Sequence, residues 1–390
     1  MRTVAIVLGT RPEAIKLALP IRALQEDPRF DPVVISTGQH RQMLDDTLRA
    51  FGLKPDIDLA VMAPRQTLPQ TTYRSLHRLE EELRNIRCEA LLVHGDTAST
   101  LAGALAGFHH QIPVVHVEAG LRSGHLHSPF PEEGNRRLVA QISALHLAPT
   151  PGNKANLMRE GVSEESIVVT GNTVIDALQW AGGQEESFGD PALEDLRTDP
   201  RRVVVASAHR RDAWPRLPQI AQAFADIADE PDVRVVVPLH RNPSVREAML
   251  PWIGGHPNIT VVDPLPYLSF CRLVRRADIL LSDSSGVQEE GPALGKPTLV
   301  ISDVTERSEA VAAGTARLVG TRHAGIVEET LRLLRDPEAH RLMATAANPY
   351  GDGQATRRTV EALAHFFGDG PPAVPFVPGG TAADLTVEMA

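Results

Sequence analysis

The sequence predicts an α/β protein of two doubly wound, Rossmann-like domains facing a cleft. Three observations carry this prediction. Short β-branched runs alternate with helical patterns over most of the chain, and they form two sets separated by a Gly-, Pro- and acid-rich stretch at 181–202. Ionisable residues gather where the runs end and are scarce inside them. Near-continuous apolar strands alternating with helices indicate parallel sheets covered on both faces. A chain of 390 residues also exceeds one ordinary core.

The first set of strands reads VAIVLG (4–9), PVVIST (32–37), ALLVHG (90–95), VVHVEAG (114–120), LHLAPT (145–150) and SIVVTG (166–171). The second reads RVVVAS (202–207), VRVVVPL (233–239), ITVVDP (259–264), DILLSDS (278–284), PTLVIS (297–302) and ARLVG (316–320). After Gly320 the chain reads as helices, through GIVEETLRLLRD and ATRRTVEALAHFF. The expected organisation is a first domain at 1–172, a linker at 173–200, a second domain at 201–355, a helix at 356–369 and a Pro/Gly-rich disordered tail at 370–390.

Composition narrows the function classes. The apolar share of 42% and charged share of 23% are those of a soluble globular protein. No run of eighteen uncharged apolar residues appears, so no membrane span is expected. The opening MRTVAIVLGTRPE reads as a strand and lacks a signal-peptide cleavage site. Cys88 and Cys271 are the two cysteines, too few for a disulfide framework or a zinc site, which fits a cytoplasmic setting with no metal. A net charge of −10 argues against a nucleic-acid partner.

In open α/β sheets ligands bind outside the carboxyl ends of the strands, and this chain can be read strand by strand. The first strand ends in Gly9-Thr10-Arg11-Pro12-Glu13 and opens a helix whose free N–H groups, with Arg11, favour an anion. Others end in His94-Gly95-Asp96-Thr97 and Glu118-Ala119-Gly120. In the second half the ends are SAHRRD (207–212), PLHRNP (238–243) and DSSGVQEE (283–290). Singly, each has a plain structural explanation: Asp96 could cap a helix, His209 could be a satisfied core histidine, and Glu289 and Glu290 could complement a helix dipole. Together they do not explain why ionisable groups collect at one rim of each domain. Ser284-Ser285-Gly286 at a helix start presents amides and hydroxyls to a phosphate, and a Glu one turn later can accept from ribose hydroxyls. The stretch has neither GxxxxGK[ST] nor GxGxxG, so ATP hydrolysis and an NAD cofactor are not indicated.

The segments GTRPEAIKLALP, GQHRQML, HGDTAST, HVEAGLRSG, PFPEEGNRR, TGNTVIDAL, DSSGVQEEGPALGKP, TERSEAVAAGT and NPYGDGQA closely resemble the non-hydrolysing bacterial UDP-N-acetylglucosamine 2-epimerases, in register from about Val4 to about Phe367. The resemblance implies a GT-B-like fold with the last helix crossing back to the first domain, and a homodimer. It implies interconversion of UDP-GlcNAc and UDP-ManNAc without cofactor or metal. UDP is eliminated to give a 2-acetamidoglucal and adds back after the C2 proton is replaced on the other face.

Matched to this sequence, Asp96, Glu118 and Glu132 are the catalytic acids, and His209 joins Arg11 and the Ser284–Gly286 amides in stabilising the diphosphate. Lys16, Arg136, Phe270, Ser284, Ser285, Gly286, Glu290 and Arg307 are the remaining substrate and UDP contacts the resemblance implies. Gln39, His40, Gln66, Glu133 and Arg210 match a second, regulatory UDP-GlcNAc site, where a second sugar nucleotide acts as allosteric activator. The chain departs from the family pattern at HRRDAWPRLP (209–218), where Asp212 replaces a glutamate and Trp214 and Pro215 stiffen the loop, and at Ser285, where glycine is usual. Alternatives are a hydrolysing relative releasing ManNAc and UDP, an epimerase for a modified UDP-HexNAc, a glycosyltransferase and a silent UDP-sugar sensor.

Overall fold

The computed structural model describes residues 1–39, 41–63, 66–184 and 187–379. The chain forms two compact units, Met1–Ala177 together with the residues from Tyr350 onward, and Leu178–Pro349.

The first unit carries β1 (Arg2–Leu8), β2 (Phe30–Ser36), β3 (Ile57–Asp58), β4 (Ala90–His94), β5 (Val114–Val117), β6 (Leu145–Ala148) and β7 (Ile167–Val169). They form a parallel seven-stranded sheet in the order β3-β2-β1-β4-β5-β6-β7. The second unit carries β8 (Arg202–Ser207), β9 (Val233–Pro238), β10 (Ile259–Val262), β11 (Ile279–Ser282), β12 (Thr298–Val300) and β13 (Ala316–Leu318), a parallel six-stranded sheet in the order β10-β9-β8-β11-β12-β13. Helices pack on both, so the central strands are apolar throughout: Val4, Ala5, Ile6 and Leu8 are fully buried, as are Leu91, Leu92 and Val93. Removing such a side chain costs about 2–5 kcal/mol, because a packed core collapses only partly around the cavity.

In each sheet the strand order reverses once, between β1 and β4 in the first unit and between β8 and β11 in the second. A doubly wound sheet splays its connecting loops apart at that reversal and leaves a crevice at the carboxyl ends. The reversals place Gly9–Arg11 beside Gly95–Thr97, and Ser207–Arg210 beside Asp283–Gly286. The two doubly wound domains are as the sequence predicts.

Three details differ from the sequence expectations. Strand β3 is an edge strand too short to leave a period in the sequence. The 173–200 stretch, expected as a linker, contains the helix Thr173–Gly182 and the 3-10 helix Pro191–Arg197, with Val174, Ile175, Leu178, Leu193 and Leu196 buried. Its apolar positions at helical spacing outweigh the acid-rich sequence after them, and the chain passes to the second unit inside that first helix. It rejoins the first unit at Tyr350, before the helix Ala355–Phe366 that packs on the helix Arg11–Glu26.

The third correction concerns the tail, expected to be disordered over 370–390. Phe376 is buried, its N–H donates to Val169 O of the edge strand β7 at 2.8 Å, and Arg358 donates Nε–H to Val374 O at 3.0 Å while covering the Phe376 ring at 5.6 Å. One apolar ring anchors a proline-rich strap that composition alone reads as unfolded, and the strap covers a sheet edge that would otherwise offer its backbone to other chains. Residues 380–390 lie outside the described residues.

Candidate active site

At the first reversal a single buried carboxylate ties two strand ends together. Glu13 Oε2 accepts from the N–H groups of Gly9 and Thr10 at 2.8 and 2.7 Å and from Thr10 Oγ1 at 2.9 Å. Its Oε1 accepts from Thr97 Oγ1 at 2.6 Å and lies 3.0 Å from Thr100 Oγ1. Burial pushes the Glu13 carboxyl above the usual range against these bonds. Gly9 is needed here, since a Cβ would lie 2.2 Å from both Thr37 Oγ1 and Ser99 Oγ. Arg11, half-buried at the start of the following helix, has no ionic partner among the described residues.

The β4 and β5 ends carry two carboxylates. Thr97 caps the helix Ala98–His109 by accepting from Thr100 N–H at 3.1 Å, so Asp96 is not the cap. Asp96 Oδ2 instead accepts from Arg136 Nε and Nη2 at 2.8 and 2.7 Å, and Asn135 Nδ2 donates to its carbonyl at 2.7 Å. Arg136 and Asn135 come from the helix Glu132–Ile142, which begins in the glutamate pair. One Glu132 carboxylate oxygen, Oε2, is buried with no hydrogen-bond partner among the described residues. An unpartnered buried acceptor costs about 1–3 kcal/mol, which makes a ligand group its natural partner.

Glu118 sits at φ +62°, in the left-handed region that non-glycine residues seldom occupy. Such conformations cost about 1–3 kcal/mol and persist where surrounding contacts over-determine them. Glu118 Oε2 is ion-paired with Lys16 Nζ, accepts from Asn172 Nδ2 at 3.2 Å and lies 3.8 Å from His94 Nε2. Oε1 faces Gly95, where a Cβ would stand 3.8 Å from it. Behind the carboxylates, His116 donates Nε2–H to Gly95 O at 2.8 Å; burial pushes its pKa down to about 3, so it holds the Gly95–Asp96 turn as a neutral donor.

At the second reversal Asp283, almost wholly buried, accepts from the N–H groups of His209 and Arg210 at 2.6 and 2.7 Å and pairs with His209 Nδ1 at 3.0 Å. Burial pushes the Asp283 carboxyl up, but the bonds from His209 and the backbone prevail and hold it below the usual range. Asp283 in turn raises His209 above the ordinary imidazole value. The His209 side chain is 40% exposed, which rules out a core histidine; its ring stacks on His240 at 5.7 Å, and Trp214 Nε1 donates to its carbonyl at 3.1 Å.

Ser284 stands at the N-cap position of the helix Ser285–Ala293 without a side-chain cap hydrogen bond, and its N–H donates to Ser282 Oγ at 3.0 Å. Gly286 is open, with a Cβ site no closer than 3.9 Å to Ser284 Oγ. Ser285 Oγ donates to Glu306 at 3.4 Å. Arg307, buried, pairs with Glu289 at 3.1 Å and with Glu306, so it braces the loop after β12 against this helix. Glu290 is buried in the same helix. Phe270, partly buried, packs against the apolar cluster of Val205, Leu273 and Leu280.

Of the regulatory candidates, Gln39 accepts from Ser99 Oγ at 3.0 Å, and Gln66 donates to Thr71 Oγ1 at 2.8 Å. Glu133 is fully buried, accepting from Ser123 N–H at 2.9 Å and from Arg137 Nε at 3.0 Å. Arg210 contributes its backbone N–H to Asp283. His40 lies outside the described residues. Sequence reasoning missed Glu13, His94, Asn172 and Asp283 as site residues, although Glu13, His94 and Asp283 stand inside segments singled out at strand ends and Asn172 inside the family segment TGNTVIDAL.

The UDP-N-acetylglucosamine 2-epimerase family model matches residues 22–364. The UDP-N-acetylglucosamine 2-epimerase of Escherichia coli strain K12 is 48% identical over 368 residues, spanning 92% of this chain and 98% of its own length. That of Bacillus subtilis strain 168 is 46% identical over 367 residues, 94% and 96% of the two chains. The structure of UDP-GlcNAc 2-epimerase from Neisseria meningitidis bound to UDP-GlcNAc superposes with a TM-score of 0.86 at 41% identity, covering 94% of this chain and all of that one. MurG of Acinetobacter baumannii shares the fold alone, with a TM-score of 0.60 at 12% identity. The chain therefore belongs to the UDP-N-acetylglucosamine 2-epimerase family.

Proposed function

We propose that this protein interconverts UDP-GlcNAc and UDP-ManNAc by eliminating UDP and adding it back. The observation that carries the reading is the set of carboxylates at the first reversal, Asp96, Glu118 and Glu132, two of them held by cationic side chains and one with an unsatisfied oxygen. A sugar C2–H is weakly acidic, so its removal needs a carboxylate beside it, and inversion needs a proton donor for the opposite face. As the C2 proton passes to a carboxylate, the C–H electron pair becomes the C1=C2 bond and the C1–O bond breaks. UDP departs with that bonding pair. Re-addition reverses these steps with the proton delivered to the other face.

The departing diphosphate gains charge, and groups already ordered in the fold stabilise it best. His209, kept protonated more readily by Asp283, serves that end together with the Ser284–Gly286 amides at a helix N-terminus. Arg136 holds Asp96 and Lys16 holds Glu118 by ion pairs, which fix the two carboxylates in place at the strand ends. The test is incubation of the purified protein with UDP-GlcNAc, followed by proton NMR. UDP-ManNAc growing in to a fixed ratio is expected. Free ManNAc and UDP would move the reading to the hydrolysing relative, and unchanged UDP-GlcNAc would overturn it.

A further inference from the structure

Glu13 takes no part in the proposed chemistry, yet its carboxyl joins the turn that carries Arg11 to the turn that carries Asp96. The hydrogens around it can be counted. Thr100 Oγ1 lies 2.6 Å from His94 O and 3.0 Å from Glu13 Oε1, and a threonine hydroxyl has one hydrogen to give. The carbonyl can only accept, so the shorter contact takes that hydrogen. An ionised Glu13 can only accept as well. Two buried oxygens would then face each other at 3.0 Å with no proton between them, against the rule that buried polar groups are hydrogen-bonded. We propose that Glu13 is a positioning residue that works as a neutral carboxylic acid, its Oε1–H donating to Thr100 Oγ1 and locking the Asp96 turn to the Arg11 turn. The positioning role rests on the proposed use of Asp96 in the reaction.

With that proton in place each hydroxyl has one acceptor. Thr97 Oγ1–H donates to Glu13 Oε1, Glu13 Oε1–H to Thr100 Oγ1, and Thr100 Oγ1–H to His94 O. Glu13 Oε2 remains the acceptor for the N–H groups of Gly9 and Thr10 and for Thr10 Oγ1. Bonds that run head to tail strengthen one another in a low-dielectric interior. Thr97 follows Asp96 directly and caps the next helix, and Thr10 directly precedes Arg11, so a shift of this one carboxyl moves both turns. Misplacing a proton-transfer group by even about 1 Å can cost on the order of a hundredfold in rate. Burial favours the neutral form too: it pushes the carboxyl above its usual range, ahead of the bonds from Thr97, Gly9 and Thr10 that pull the other way. The titratable groups of the segments that close on Glu13 are Arg11 and Lys16 on its own helix and His94 and Asp96 at the β4 turn. Lys16 is ion-paired with Glu118 and Asp96 with Arg136, while the partners of Glu13 among the described residues are N–H and hydroxyl groups.

Infrared difference spectroscopy of the whole protein, wild type against Glu13→Gln at neutral pH, reads the proton directly. The wild type should show the carbonyl stretch of a protonated carboxylic acid, shifted in heavy water and missing from the variant. A difference spectrum without that band overturns the proposal, because Glu13 would then be ionised. Turnover of UDP-GlcNAc in wild type, Glu13→Gln and Glu13→Ala tests the positioning role, with circular dichroism for the folded fraction. Glu13→Ala should lower kcat roughly 10- to 100-fold. Glu13→Gln should restore most of that loss, because the amide has the shape of the neutral acid and supplies an N–H where the acid supplies its O–H. A glutamine variant as slow as the alanine one, or an alanine variant as fast as wild type, defeats the positioning role even with the band present. If Glu13→Ala folds poorly, the infrared band and the kcat of Glu13→Gln against wild type carry the test. A wild type that leaves UDP-GlcNAc unchanged would fail the proposed reaction instead, and the band would still decide the state of Glu13.

Discussion

His116 makes acid stability a direct probe of the site's scaffold. Its ring is fully buried, it donates to Gly95 O, and burial takes its pKa from 6.5 down to about 3. The unfolded chain therefore binds a proton near pH 6.5 that the folded chain refuses until about pH 3. Stability from the neutral ring is fully present above pH 6.5 and is lost as pH falls from there towards 3, because the unfolded state binds more protons in that window. Each pH unit below 6.5 removes about 1.4 kcal/mol, so by pH 4.5 the loss is about 3 kcal/mol. His146, the β6 partner of His116 in the sheet register, is pushed by burial to about 4 and adds a loss of similar order. His116→Gln keeps a donor for Gly95 O but cannot titrate, at a packing cost of about 1–2 kcal/mol at neutral pH. Urea unfolding followed by far-ultraviolet circular dichroism should show the wild type more stable than the variant by about 1–2 kcal/mol at pH 7 and less stable by about 1–2 kcal/mol at pH 4.5, a relative change of about 3 kcal/mol. A lead that stays constant with pH would refute the reasoning, since the ring would then not be held neutral by the fold.

Two further perturbations address the second reversal and the tail. Asp283→Asn removes the carboxylate that raises His209 while leaving an acceptor for the backbone N–H groups, so the alkaline limb of kcat/KM for UDP-GlcNAc should shift to lower pH. An unmoved limb would mean that His209 protonation is not what the diphosphate senses. Phe376→Ala empties a buried ring site under the strap and should destabilise the first unit by about 3 kcal/mol. That corresponds to a melting temperature lower by roughly 6–12 °C, measured by scanning calorimetry, and an unchanged transition would show the strap to be a passive cover.

What could be read from the sequence follows from which physical signals are local. The strands of both sheets are legible as β-branched runs because a parallel strand is buried on both faces and leaves no polar alternation. The rim residues are legible because a charge at a strand end can face solvent or a ligand, whereas one inside a strand must find a buried partner, as Arg234 in β9 does with Asp195 and Asp199. Long-range partnership is what escaped. Glu13 reads as an ordinary acidic residue in a first helical turn until the Thr97 turn, 84 residues further on, closes over it. The pairing of Asp283 with His209 and the reach of Asn172 to Glu118 likewise join segments remote in sequence. The strap was misread because its Pro and Gly content outvotes a single phenylalanine, and one buried ring is enough to order a short segment.

Deuterium at C2 is the measurement closest to the central claim, that the C2 proton is exchanged through carboxylates at the first reversal. UDP-GlcNAc incubated with the enzyme in heavy water should yield both epimers deuterated at C2, and Asp96→Asn, Glu118→Gln and Glu132→Gln should each slow that exchange. Epimerisation in which C2 keeps its original proton would contradict the account, because the carboxylates would then have no proton to move.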